Sequence, residues 1–83
     1  MRNKKLSNKL TILKHLVTIG NISPLEALMV HRIVRLAPRI QELRELGFDI
    51  RTTTKTDAAG TVYTRYVFSP TVNNRYLAHD LLP

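Results

Sequence analysis

The hydrophobic period of this chain changes at Gly47, and that switch narrows the folds open to it. Before Gly47, apolar side chains recur at helical spacing; from Phe48 onward, β-branched residues alternate along two short runs. With 83 residues there is material for one core, so helices and strands must pack on each other within a single α+β domain. Hydrophobic residues make up 43% of the sequence, enough for that core and too many for a disordered polycation.

In the helical half, Leu6, Leu10, Leu13 and Val17 keep one face, with Ile12 and Leu16 flanking it and Lys5, Lys9 and Lys14 pointing elsewhere. Gly20 supplies a left-handed stop, so a first helix is expected over 7–19. Ser23-Pro24-Leu25-Glu26 is the strongest start signal: a hydroxyl cap, a proline where its missing donor costs nothing, and a glutamate placed to reach back to the Ser23 amide. It opens a short helix over 24–30, with Leu25, Leu28 and Met29 as its apolar contribution and Ile22 stapled against Ala27 or Leu28. Leu36, Ile40 and Leu43 then form an i, i+4, i+7 stripe closed by Leu46-Gly47, a third helix over 34–46. Pro38 fits only within its first turn, which pins the start close to Arg35.

The strand half reads as a hairpin, 48–55 and 61–68, joined by the glycine-ended loop 56–60. Two strands alone are marginal, so Ile50, Tyr66 and Phe68 are expected to fill the core beneath them. Ser69-Pro70 ends the hairpin, and the remaining tail offers a short helix through Val72, Tyr76 and Leu77. The expected organisation is a basic arm at 1–6, a domain at 7–68 and a C-terminal tail at 69–83.

Thirteen Lys and Arg oppose six Asp and Glu, a formal charge of +7, with an isoelectric point near 10.4. Such a surface attracts polyanions: nucleic acid first, an acidic membrane face or acidic protein second. No apolar run approaches a membrane span. Arg2, Lys4 and Lys5 resemble the basic start of a signal peptide, but Lys9, Lys14 and His15 interrupt what would be its apolar stretch, so a cytoplasmic protein is expected. The absence of cysteine excludes a disulfide framework, a thiolate zinc site and a cysteine nucleophile. Ser7, Ser23 and Ser69 have no base placed beside them, His15, His31 and His79 are scattered, and three separate glycines build no phosphate loop. Neither catalysis, nor a metal, nor a cofactor is expected.

Helix, short capped helix, tight turn, longer helix and two-stranded hairpin, in that order, spell a three-helix helix-turn-helix with a β-hairpin wing. The stretch Ile22-Ser23-Pro24-Leu25-Glu26-Ala27-Leu28, followed by Arg35-Leu36-Ala37 and Arg39-Ile40-Gln41-Glu42-Leu43-Arg44-Glu45-Leu46-Gly47, resembles small winged helix-turn-helix domain proteins of tailed phages and prophages. The likeness runs from about residue 10 to 68 and implies DNA binding inside a bacterial host cell. Two departures stand out. His31-Arg32 occupies the turn where such proteins commonly carry glycine, and Pro38 stands where they usually have a small residue.

With Leu36, Ile40 and Leu43 inward, Arg35, Pro38, Gln41, Glu42 and Glu45 face outward and Arg39 lies at their edge. Arg35 and Arg39 are suited to guanine edges and Gln41 to adenine, while Glu42 can accept from cytosine or pair with Arg39 or Arg44 along the helix. Arg32 and His31 in the turn are candidates for phosphate, as are the free amides at Ser23 and Leu25 unless Glu26 closes them. On the hairpin, Arg51, Thr53 and Lys55 share one strand face, and Arg65 with Tyr63 one face of the other, a basic wing for the backbone or minor groove. The expected function is double-stranded DNA binding by a small phage or prophage transcriptional regulator, reading the major groove with helix 34–46 and the backbone or minor groove with wing 48–68. The alternative is a winged-helix module that docks on and modulates a host or phage protein. Aromatic residues are too few and too poorly grouped for a single-strand platform. Tyr76, Leu77, Leu81 and Leu82 are spare apolar surface, for a homodimer contact or for packing on the first helix of the same chain.

Overall fold

The computed structural model describes residues 7–82. In chain order these form α1 (Asn8–Ile19), β1 (Asn21–Ile22), α2 (Pro24–His31), α3 (Leu36–Glu45), β2 (Ile50–Thr56), β3 (Val62–Phe68) and α4 (Val72–Leu81). The expected arm at 1–6, with Arg2, Lys4 and Lys5, lies outside the described residues. Three helices and a two-stranded wing become, among the described residues, four helices and a three-stranded antiparallel sheet in the order β1-β3-β2.

α1 begins at Ser7, whose hydroxyl accepts from the Leu10 amide, and stops at Gly20, where φ of 100° is open to glycine at little cost. Its buried side is Ile12, Leu13 and Leu16; Leu10 packs at the edge and Val17 stays exposed. The two residues that follow form the added strand: Asn21 pairs with Val67 and Ile22 with Tyr66, making β3 the central strand. A two-residue strand is too short for any alternation to be read from sequence.

α2 carries the expected capping box. The Ser23 hydroxyl accepts from the Glu26 amide at 3.2 Å, and the Glu26 carboxylate accepts from the Ser23 amide at 3.0 Å. Its apolar face corrects the expectation: Leu25, Leu28 and Met29 are 66%, 45% and 72% exposed. Ile22, Ala27 and Ile33 anchor this helix to the core instead. At about 100° per residue the three larger side chains lie roughly 100° to 160° round the helix from Ala27, on its far side.

Arg32 closes α2 with φ of 59°, the one positive φ among the described non-glycine residues. The Arg32 amide donates to the Leu28 carbonyl and the Ile33 amide to the Ala27 carbonyl, each at 3.0 Å, so the turn has the left-handed closure that glycine favours. α3 is shorter than the stripe suggests at both ends. Val34 is 77% exposed and precedes the helix, Arg35 is its N-cap, and Pro38 falls in the first turn, as its missing N–H requires. Leu36, Ile40 and Leu43 are buried as expected.

Long polar side chains tie the layers together. Arg44 of α3 donates to the Ile50 carbonyl at 2.6 Å and to the Thr52 hydroxyl at 2.9 Å, with its guanidinium 5.9 Å from the Tyr66 ring centre. Asn74 of α4 is fully buried. It accepts from the Asp49 amide and donates to the carbonyls of Asp49 and Ser69, at 2.8 to 2.9 Å. The tail is therefore a Thr71-capped helix on the same core, with Ala78 buried and Leu77 and Leu82 packed against it. Of the apolar surface considered for a homodimer, Leu77 and Leu82 are used within the chain, leaving Tyr76 and Leu81 exposed. No helix among the described residues is long and apolar enough to cross a membrane.

Candidate nucleic-acid interface

Register decides which side chains share a face of the hairpin. Arg51 opposes Val67, Thr53 opposes Arg65 and Lys55 opposes Tyr63, so these six lie on one face and Ile50, Tyr66 and Phe68 on the other, with Ile50 and Phe68 buried. The tip is tied off by Asp57, whose carboxylate accepts from the amides of Ala59 and Thr61, each at 2.9 Å.

The basic residues of that face differ in what they hold. Arg51 and Lys55 are exposed, with no ion pair among the described residues. Arg65 instead reaches back to α2, pairing with Glu26 at 3.0 Å, bonding the Asn21 side chain and lying 5.7 Å from the Tyr63 ring centre. Its partners are 39 and 44 residues away in sequence, so spacing gives no hint of them. Thr53 is half-buried and donates to the Arg65 carbonyl.

On α3 the outward side is divided likewise. Arg35 and Gln41 are exposed, and among the described residues Gln41 makes one long 3.5 Å contact, to Glu45. Arg39 pairs with Glu42 at 3.1 Å, the along-helix pairing that their spacing allows, and both are half-buried. Arg35 caps nothing: α3 has neither a side-chain cap nor an acidic residue in its first turn, whereas Ser7, Ser23 and Thr71 cap the other described helices. The left-handed turn brings Arg32 to the same corner as Arg35, Pro38 and Arg39.

Sequence spacing separates the histidines, but the fold joins two of them. His15 Nδ1 and His31 Nε2 lie 2.9 Å apart, linking α1 to the end of α2. Burial above all, then the neighbouring His31, holds His15 below the ordinary imidazole value, against the opposing pull of the Glu26 carboxylate and a backbone bond at Asn21. Burial acts to raise the Glu26 value, yet bonds from Arg65 and the Ser23 amide together leave it below the usual carboxylate range. No group of three or more potential metal ligands occurs among the described residues.

A family model described as a winged helix-turn-helix domain matches residues 7–70. No curated protein and no solved structure matches the chain.

Proposed function

The chain belongs to the winged helix-turn-helix domain family, and from that premise we propose that it binds double-stranded DNA as a small transcriptional regulator of phage or prophage type. The supporting observation is α3, whose Leu36, Ile40 and Leu43 stripe is buried while Arg35 and Gln41 stand exposed beside it. Those two side chains carry the donors that read guanine and adenine edges in a major groove. Arg51 and Lys55 on the wing supply sequence-independent phosphate contacts, with the +7 charge drawing the duplex in. Arg65 serves the fold, through Glu26 and Asn21, rather than the duplex.

Selection from random duplexes tests this reading. An enriched motif in which Gln41→Ala relaxes the preference at one base pair supports it, and recovery of unenriched sequence contradicts base reading. A second reading, docking on a host or phage protein, is favoured by the exposed Leu25, Leu28 and Met29 of α2. A stoichiometric protein partner lost on Met29→Asp, with no duplex affinity, would replace the first reading by the second.

A further inference from the structure

Three guanidinium side chains converge on one cleft although the backbone holds each differently. Arg32 ends α2 in the left-handed conformation, Arg35 precedes the first turn of α3, and Arg39 lies one turn further on. Together with Asn8, Ile33, Val34 and Pro38 they line a cleft of about 450 Å³. Among the described residues no carboxylate lines it, and Glu42, which pairs with Arg39, is not one of the lining residues. The Nε of Arg39 is buried and has no hydrogen-bond partner among the described residues.

We propose that this cleft is a phosphate seat, filled by one backbone phosphodiester of the bound duplex, with Arg39 a phosphate anchor rather than a base reader. The proposal rests on the DNA-binding reading and assigns a role within it. Non-bridging phosphate oxygens match the planar fork of a guanidinium, and the forks of Arg32 and Arg39 at one cleft neutralise the anion together, leaving Arg35 for a base edge. Reading a base edge needs an extended, accessible side chain. Arg35 has that freedom, whereas the side chain of Arg39 is 31% exposed with its Nε enclosed. Glu42 competes with the phosphate for the same guanidinium and holds it in place when no duplex is bound.

A duplex phosphodiester and free phosphate present the same oxygens, so the test uses both. Affinity for a selected duplex and for a scrambled one is measured across salt for the full chain, Arg39→Gln and Glu42→Gln, and amide resonances are followed as inorganic phosphate is added. Arg39→Gln is expected to weaken both duplexes by the same factor, about tenfold, and to make the salt slope shallower by about 0.9, the share of one phosphate. Glu42→Gln, a change at a half-exposed surface position, should strengthen both duplexes alike and keeps the test open if Arg39→Gln does not fold. Phosphate should shift the amides between Arg32 and Arg39. Loss confined to the selected duplex, or an unchanged slope, overturns the seat while leaving DNA binding intact. Phosphate binding without duplex binding keeps the seat and overturns the DNA reading, and binding of neither overturns both.

Discussion

Arg32 shows how a single backbone angle can be separated from a single charge. At φ of 59° a residue with a Cβ is strained by roughly 1–2 kcal/mol, of which glycine's own entropy cost of about 0.5–1 kcal/mol would cancel part. Arg32→Gly should therefore leave the melting temperature unchanged or slightly raised while weakening every duplex. A melting point lowered by several degrees would contradict the strain argument. Asn74 is the opposite case, a buried side chain with three backbone partners. Asn74→Ala leaves those groups unpaired and should cost about 2–3 kcal/mol by chemical denaturation.

The pH dependence also belongs to this scale. His15 titrates below its ordinary 6.5 in the folded chain, so the unfolded chain binds more protons in the window beneath 6.5. Stability is then present in full above that window and declines as the pH falls through it. Glu26, lowered from 4.5, adds a second loss in the same direction at lower pH, as its carboxylate is protonated. His15→Gln should flatten the first decline in melts between pH 7 and 5 and leave the second. The cap at Ser23 was legible in the sequence because its partner is three residues away. The roles of Asn74 and Arg65 were not, because theirs are up to 25 and 44 residues distant.

At the scale of elements, α2 departs most from its pattern. Its apolar residues suggest a core helix, yet packing selects Ala27, and Leu25, Leu28 and Met29 face outward. Periodicity over eight residues cannot say which side a capped helix turns inward. Met29→Ala should change stability by no more than about 0.5 kcal/mol, whereas Ile40→Ala, from the fully buried stripe of α3, should cost about 2–5 kcal/mol. Equal losses would place Met29 in the core after all. The stripe of α3, both glycine stops and the hairpin were readable because each repeats or punctuates a regular period. β1 was not, since its two residues gain their strand character only from pairing with β3.

For the molecule as a whole, one core joins the helical half, the sheet and α4, as the change of period at Gly47 and the length require. The family follows from residues 7–70, and α4 adds its buried Asn74 and Ala78 beyond that match. The candidate interface was legible in part. Composition gave the charge and the α3 stripe gave the outward residues, but the distribution of the arginines arises only in the folded chain. Arg65 is drawn to Glu26, Arg44 to the sheet, and Arg32, Arg35 and Arg39 to one cleft. The most direct measurement is the affinity for a duplex as a function of salt concentration. If that cleft seats one phosphate and the wing's Arg51 and Lys55 neutralise one each, about three in all, the logarithm of affinity falls against that of salt with a slope of about −2.7. A slope near zero would contradict binding through these cations.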